Sequence, residues 1–291
     1  MKPIRVGSRE SRLAVVQAQE VITRLGVPCE LVTMKTTGDR ILDRTLDQVG
    51  GKGLFVRELD RALAAGGIDL AVHSLKDLPM EQPDGLPVVA YLPREDARDA
   101  LVLPAGAAAP DPAKPIGCAS ARRRVQLERL FPGLRVEPVR GNVLTRLARL
   151  DAGEYGALVL AAAGLRRLGL EARISRLFSP EELLPAAGQG ILAVQARAGA
   201  METLLTALDC ASSRICALAE RAVVRGLDGG CFAPIGAYAQ LDGSRLRVRG
   251  LYAADGEIRH AEVRGPAAEA EALGAEAAAR LLRQEKGVQV W

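Results

Sequence analysis

Four polar side chains crowd one short stretch of the 291-residue sequence, HSLKDLP at 73–79. His73, Ser74, Lys76 and Asp77 follow directly on the apolar run DLAV, which is typical of a buried strand. In open α/β sheets, ligands bind at the carboxyl ends of strands. A carboxylate beside an ammonium stays ionised, and it is then able to stabilise a cation or exchange a proton. Asp77 is therefore the candidate catalytic carboxylate.

Arginines occupy other positions where a predicted strand is followed by a helix. GSRESRLA at 7–14 places Arg9 and Ser11 at such a junction, where helix N-termini bind anions. Because a cation opposes the helix dipole there, arginines at three further junctions predict an anionic ligand, with solvated helix ends as the alternative. These junctions are ARRRVQ at 121–126 (Arg122, Arg123), RGNVLTR at 140–146 (Arg140, Arg146) and GLRRLG at 164–169 (Arg166, Arg167).

Lys52 is bracketed by glycines in VGGKGLF at 49–55. Glycines let backbone amides approach a ligand, which favours a binding role for the ammonium group. The segment lacks the full phosphate-loop pattern, so a flexible turn is the alternative.

Cys231 lies in the predicted loop RGLDGGCFAPIGA at 225–237, where access is easier than in a core. A lone cysteine is by default a small buried apolar residue. A hydrolytic cysteine needs a histidine partner, and only His73 and His260 are present, neither within a cysteine-hydrolase signature. Attachment of a group, or chemical inertness, is therefore favoured over hydrolysis.

The elements around these residues begin as a strand–helix alternation. Predicted strands IRVGS, CELVTMKT and IDLAVHS are separated by helices over 9–25 and 53–67. This order predicts right-handed parallel crossovers and a doubly wound α/β domain. A proline-rich segment at 103–115 then predicts a loop or hinge.

A second strand–helix series follows that segment. IGCAS, LRVEPV and GALVLAAA each precede a helix, and ILAVQAR forms one more strand after PAAGQG. From about residue 212 the pattern becomes a helix, three strands separated by Asp-Gly turns at 242–243 and 255–256, and an alanine-rich helix. This last part predicts a small α+β unit with an antiparallel sheet.

Composition argues against several classes of protein. The 39 basic residues comprise 33 arginines and 6 lysines, the net charge is +4, and the 3% aromatic content leaves few platforms for stacking nucleic-acid bases. Five scattered cysteines without a CxxC pair and two histidines predict neither a disulfide framework nor a metal site. Because the sequence shows no secretory signal and no apolar run of roughly 20 residues, we expect a cytoplasmic protein without membrane spans.

Eight segments in order resemble the porphobilinogen deaminases, or hydroxymethylbilane synthases, from residue 4 to about residue 253. They are SRESRLA, VGGKGLFVRELD, AVHSLKDLP, REDARDAL, RRRVQL, RGNVLTRLARLDAGEYGALVLAAAGLRRLGL, LPAAGQG and AERAVVRGLDGGCFAPIGAYA.

The resemblance implies a transferase of tetrapyrrole biosynthesis. Such an enzyme condenses four porphobilinogen molecules head to tail, loses ammonia at each step, and releases 1-hydroxymethylbilane by hydrolysis. Cys231 would carry a dipyrromethane cofactor through a thioether as the primer, and Asp77 would assist loss of ammonia and stabilise the azafulvenium cation. The implied cofactor- and substrate-binding residues are Arg9, Ser11, Lys52, Lys76, Ser120, Arg122, Arg123, Arg140, Arg146 and Arg167.

The same resemblance implies two α/β domains like those of transferrins or periplasmic binding proteins, and a small C-terminal α+β domain. The expected boundaries are 1–95 with 190–209, 96–189, and 210–291. The active site is expected in the cleft between the first two domains of a monomer that binds neither nucleic acid nor membrane.

The chain departs from the family pattern at one predicted binding turn. Where the family usually has Gly-Thr-Ser-Ser-Leu-Arg-Arg, this chain reads GCASARR, so Cys118 and Ala119 replace two hydroxyl residues while Ser120 is retained. Gln48 stands where some members have lysine, and no role is assigned to it. The alternative function is a non-enzymatic carboxylate-binding protein of the periplasmic type, which predicts a signal peptide and an unmodified Cys231.

Overall fold

The computed structural model describes residues 2–40, 56–229 and 233–283. Its chain divides into two compact units, the first formed by Met1–Glu95 with Gly190–Arg214 and the second by Asp96–Gln189 with Ile215–Trp291. The elements in chain order are β1 (Ile4–Arg9), α1 (Arg12–Leu25), β2 (Cys29–Met34), α2 (Thr37–Arg40), α3 (Arg57–Ala64), β3 (Leu70–Ser74), β4 (Val88–Tyr91), β5 (Asp99–Val102), β6 (Ile116–Cys118), α4 (Ala121–Leu130), β7 (Val136–Pro138), α5 (Val143–Asp151), β8 (Ala157–Ala161), α6 (Ala162–Arg167), β9 (Arg176–Leu177), β10 (Leu192–Ala196), α7 (Glu202–Thr206), α8 (Ala211–Gly226), β11 (Ile235–Asp242), β12 (Arg245–Ala254), β13 (Glu257–Pro266) and α9 (Ala270–Arg283).

The first unit holds a five-stranded sheet in the order β2-β1-β3-β10-β4. Strand β1 pairs in parallel with β2 and β3, as the predicted crossovers require. Strand β10 returns late in the chain and runs antiparallel to both β3 and β4, so the sheet is mixed rather than wholly parallel.

Helix α1 covers one face of this sheet. Ala14, Ala18, Val21 and Leu25 are buried at helical spacing, in agreement with the helix predicted in this range. The helix was expected from residue 9 but begins at Arg12, because the Ser11 side chain caps it by accepting a hydrogen bond from the backbone N–H of Ala14. Residues up to Arg9 continue strand β1 instead.

The second unit holds another five-stranded sheet, ordered β7-β6-β8-β5-β9. Strand β6 is parallel to β7 and β8, whereas β5 is antiparallel to β8 and β9. Alternate residues of β8 enter two cores, with Leu158 and Leu160 on one face and Val159 on the other. The segment 103–115 connects β5 to β6 inside this unit, so it is a loop and not a connection between units.

The third sheet, β11-β12-β13, is an antiparallel meander within the second unit. Its second turn has positive φ at both Asp255 and Gly256, the backbone geometry of a type I′ hairpin. A Cβ added at Gly250 of β12 would meet Val223 of α8 and Leu281 of α9, so both helices cover one face of the sheet.

The predicted fold class is confirmed as two α/β domains, each with a five-stranded sheet, and a small C-terminal α+β part with an antiparallel sheet. Strands β4, β5 and β9 were not predicted, because each is a run of four residues or fewer without a distinctive pattern. The three predicted domain boundaries stay predictions. No helix in the described ranges is long and apolar enough to span a membrane.

Candidate active site

The predicted catalytic stretch lies where β3 ends. Lys76 and Asp77 form a 3₁₀ turn directly after Ser74, with the Asp77 side chain exposed and Lys76 half-buried. Arg9 is the last residue of β1 and Ser11 is the cap of α1. Because β1 and β3 are neighbouring parallel strands, these residues share one edge of the sheet. We call the set Arg9, Ser11, Lys76 and Asp77 the Asp77 edge.

A buried side chain of α1 joins the two halves of the Asp77 edge. The Gln17 amide donates through Nε2 to Ser74 Oγ at 2.8 Å, and Ser74 Oγ is 3.2 Å from Gln17 Oε1. The helix that Ser11 caps is thereby connected to the residue that precedes the 3₁₀ turn of Lys76 and Asp77.

His73 lies beside this edge but inside the core. Its Nε2 is 3.0 Å from Oε1 of Gln195 on β10. Burial lowers the pKa of His73 to about 4, and the nearby positive charge of Arg9 acts in the same direction. His73 is therefore uncharged at neutral pH, and the charges of the edge are those of Arg9, Lys76 and Asp77.

The second sheet carries a comparable edge at the ends of its parallel strands β6, β7 and β8. Helix α4 follows β6, and the Ser120 hydroxyl caps it by accepting from the backbone N–H of Arg123 at 3.4 Å. Helix α5 follows β7, and the Asn142 side chain caps it by accepting from the N–H of Thr145 at 3.0 Å. The residues Ser120, Arg122, Arg123, Arg140 and Arg146 are called the arginine edge.

Arg140 and Arg146 are placed by the turn before α5. Gly141 has φ +99°, in the left-handed region that glycine favours, and it separates Arg140 from the cap Asn142. The Arg146 Nε donates to the Gly141 carbonyl at 2.8 Å. Both arginines are half-buried.

Arg122 and Arg123 lie in the first turn of α4 as predicted, but both are buried against a carboxylate that the sequence did not single out. Asp99, the first residue of β5, is fully buried. Its Oδ1 accepts from Arg123 Nε at 3.1 Å and Nη2 at 2.7 Å, and its Oδ2 is 2.9 Å from Arg122 Nη2. The only signal in the sequence was an aspartate heading the short apolar run DALV.

Arg166 and Arg167 do not start a helix, which corrects the sequence-based placement. Helix α6 begins at Ala162, so both arginines lie in its last turn, where a cation interacts favourably with the helix dipole. Arg166 Nη2 is 3.1 Å from the Asp96 carboxylate. The dipole argument for an anion therefore does not apply at this junction.

Comparison with known proteins assigns the chain to a family. A family model described as porphobilinogen deaminase, dipyromethane cofactor binding domain, matches residues 4–204, and one described as porphobilinogen deaminase, C-terminal domain, matches residues 214–283. The chain belongs to the porphobilinogen deaminase family. It is thus an enzyme, a transferase of tetrapyrrole biosynthesis with a dipyrromethane cofactor, and the non-enzymatic alternative is not favoured.

Curated members of the porphobilinogen deaminase family match nearly the whole chain. The porphobilinogen deaminase of Acetivibrio thermocellus is 52% identical over 96% of this chain and 98% of its own length. That of Ruminiclostridium josui is 51% identical over 91% of this chain and 92% of its own, and that of Chromobacterium violaceum is 47% identical over 97% and 95%.

The arginine edge fits the porphobilinogen deaminase cofactor, whose two pyrroles carry carboxylates. Arginine binds carboxylates through a planar fork and keeps its charge at any physiological pH. Within the described residues, the buried Nε of Arg122 has no hydrogen-bond acceptor. The arginine edge therefore offers guanidinium donors that include a buried N–H without an acceptor. Such donors are able to bind an anionic ligand.

Two residues that the family resemblance singled out, Lys52 and Cys231, lie outside the described residues. The four described cysteines, Cys29, Cys118, Cys210 and Cys216, are free thiols. Burial raises the pKa of the Cys118 thiol, whose Sγ is 3.7 Å from the Ser120 carbonyl oxygen. The substitution at that turn therefore introduces an unreactive side chain.

Proposed function

We propose that the chain joins four porphobilinogen molecules head to tail on its dipyrromethane cofactor and releases 1-hydroxymethylbilane by hydrolysis. One observation carries this proposal. The Asp77 carboxylate stands exposed beside Lys76 at the end of a buried strand, on a sheet edge that also carries Arg9. A carboxylate and fixed cations are the groups that a reaction of an anionic substrate through a cation requires.

Asp77 acts on the aminomethyl carbon of porphobilinogen. The carbon–nitrogen bond breaks, ammonia leaves, and the cation that remains on the substrate is stabilised by the Asp77 carboxylate. A carbon–carbon bond then forms between this carbon and the free α-carbon of the preceding pyrrole, which loses its proton. Asp77 is the group that accepts and returns protons in these steps.

The cations bind the acetate and propionate groups that accumulate as the chain grows. Lys76, Arg9 and Ser11 serve this role at the Asp77 edge, and Lys52 is proposed with them on the family resemblance. On the second sheet the proposed ligands of the carboxylates are Ser120, Arg122, Arg123, Arg140, Arg146 and Arg167. Bidentate arginine–carboxylate pairing supports this assignment, because it orients the substrate as well as binding it.

Cys231 is proposed to hold the cofactor through a thioether. When bound, the dipyrromethane supplies the primer to which the first porphobilinogen is joined. The position of Cys231 between Gly-Gly and Phe-Ala-Pro, within the segment matched by the C-terminal family model, supports this role.

We further propose that the enzyme acts as a cytoplasmic monomer and binds neither nucleic acid nor membrane. Among the described residues, Leu282 is the one large apolar side chain that is exposed, so the described surface lacks the apolar patch of a stable dimer. The 3% aromatic content supports the absence of a single-strand nucleic-acid site.

The proposal is tested by the intact mass of protein freshly purified from cells. We expect an excess equal to two linked porphobilinogen-derived pyrroles on the parent, its absence in Cys231→Ser, and its retention in the control Cys210→Ser. A parent that stays unmodified and inactive after incubation with porphobilinogen or preformed hydroxymethylbilane would overturn the proposal.

A further inference from the structure

Asp99 is a buried carboxylate that contacts two arginines of the arginine edge. Its side chain is inaccessible to solvent, at the start of β5. Two guanidinium groups share it, those of Arg122 and Arg123, whose side chains are 3% and 6% exposed. Gln189 donates a further hydrogen bond from Nε2 to Oδ1 at 2.9 Å.

The two arginines are held differently. Arg123 donates twice to Asp99 Oδ1, and its Nη1 donates to the Val159 carbonyl at 3.1 Å, so its fork is fixed between β5 and β8. Arg122 donates through Nη1 to the Leu184 carbonyl at 2.6 Å. Its second contact, with Asp99 Oδ2, is an ion pair, and its Nε has no acceptor among the described residues.

The charge of Asp99 is what keeps these guanidinium groups in place. Burial by itself raises the pKa of Asp99, but the positive charges of Arg122 and Arg123 outweigh it and hold the pKa well below its usual range. The carboxylate is therefore ionised throughout the physiological range. Removing one member of a buried ion cluster leaves the remaining charges unpaired, which is strongly unfavourable.

We propose that Asp99 is a positioning residue. It orients the Arg122 and Arg123 guanidinium groups so that they bind a carboxylate of the cofactor or of the growing pyrrole chain. The inference rests on the proposed function of these arginines. Asp99 acts through them and touches no reacting atom. The binding geometry at the first turn of α4 is thereby set by a residue on a different element, β5.

A matched control exists in the first unit. Asp69 is also a carboxylate shared by two arginines, with Oδ1 at 2.9 Å from Arg5 Nη2 and 3.4 Å from Arg197 Nη2. Neither arginine belongs to the Asp77 edge or the arginine edge. Asp69→Asn therefore removes an ion cluster of the same composition without changing a proposed binding group.

The experiment compares the parent, Asp99→Asn and Asp69→Asn as full-length proteins. Three quantities are measured: KM and kcat for porphobilinogen, the fraction of protein with the dipyrromethane mass excess, and Tm. We expect Asp99→Asn to raise KM about tenfold, the scale of one charge-assisted hydrogen bond, while kcat falls less than about threefold. Its cofactor-loaded fraction and its covalent uptake from preformed hydroxymethylbilane should fall with the rise in KM.

Asp69→Asn should lower Tm and leave KM and cofactor loading as in the parent. If Asp99→Asn also lowers only Tm, Asp99 has a structural role and the inference is wrong. Should Asp99→Asn fail to fold, Asp99→Glu replaces it, because this variant keeps the charge but moves the carboxylate by one methylene and so displaces the guanidinium groups. A KM within error of the parent and full cofactor loading in Asp99→Glu would then overturn the inference.

Failure of the inference is distinguishable from failure of the proposed function. The proposed function fails when the parent itself lacks the mass excess and does not consume porphobilinogen. The inference alone fails when the parent does both and the Asp99 variants bind substrate and cofactor as the parent does.

Discussion

Two aspartates of this enzyme, Asp77 and Asp99, differ in burial. Asp77 is exposed at the end of β3, and its oxygens are accessible to a substrate. Asp99 heads β5 with no exposed surface; its Oδ1 accepts from arginine and glutamine donors, and its Oδ2 forms the ion pair with Arg122. A carboxylate of the first kind is suited to stabilising a transient cation, and one of the second kind to holding permanent ones.

Asp77→Asn should lower kcat for porphobilinogen consumption by about 10³-fold, because an amide carries no charge to stabilise the cation and exchanges no proton. Tm and the circular dichroism spectrum should match those of the parent, since the side chain is exposed. Steady-state kinetics on purified protein checks this.

Asp84→Asn is the matched control, an exposed aspartate seven residues further along the same unit. It should retain the activity of the parent. An Asp77→Asn enzyme that turns over within tenfold of the parent would exclude the proposed role of Asp77.

At the scale of the elements, helix N-caps lie close in sequence to the candidate binding residues. Ser11, Ser120 and Asn142 each cap a helix by accepting a hydrogen bond from a backbone N–H, and each lies two residues in sequence from an arginine of one of the two edges. The structure thus assigns a capping hydrogen bond to Ser11 and Ser120, while their predicted contact with ligand stays a prediction.

The hydrogen bonds between Gln17 and Ser74 connect helix α1 to the 3₁₀ turn that holds Asp77. Gln17→Leu and Ser74→Ala should each lower the free energy of unfolding by about 1 to 2 kcal/mol, since each leaves a polar partner unpaired. The double variant should lose less than the sum, with a coupling of about 1 kcal/mol, because the same contact is removed only once.

A double-mutant cycle by urea unfolding measures this coupling. The exposed pair Glu20 and Arg24 on the same helix is the control, for which a coupling of no more than about 0.5 kcal/mol is expected. Additive effects of the Gln17 and Ser74 variants would show that the hydrogen bonds do not join the two elements.

At the scale of the whole molecule, the buried polar groups make stability depend on pH. The pKa of His73 is about 4 in the folded chain, against 6.5 for the ordinary value. Between these two values the unfolded chain binds a proton that the folded chain does not. The contribution of neutral His73 is therefore complete above pH 6.5 and is lost as the pH falls toward 4.

His73→Gln should flatten this dependence, because glutamine is able to donate to Gln195 and does not titrate. Between pH 7 and pH 4.5 the parent should lose on the order of 2 kcal/mol more unfolding free energy than the variant. Urea unfolding at a series of pH values checks this, and parallel curves for the two proteins would contradict the expected pKa of His73.

The sequence by itself determined the fold class and the family, because these are recorded in local periodicity and in short ordered motifs. Parallel crossovers follow from the strand–helix alternation around β1 to β3, and Asp77 is marked by its place after a buried apolar run. Residues 190–209 were expected in the first domain, but the tertiary structure alone decided that β10 runs antiparallel to its neighbours there. It alone also decided that Arg167 ends a helix and that Asp99 pairs with Arg122 and Arg123. These facts depend on which distant segments pack together, as Asp99 and Arg123 do across 24 residues, and no local pattern encodes that choice.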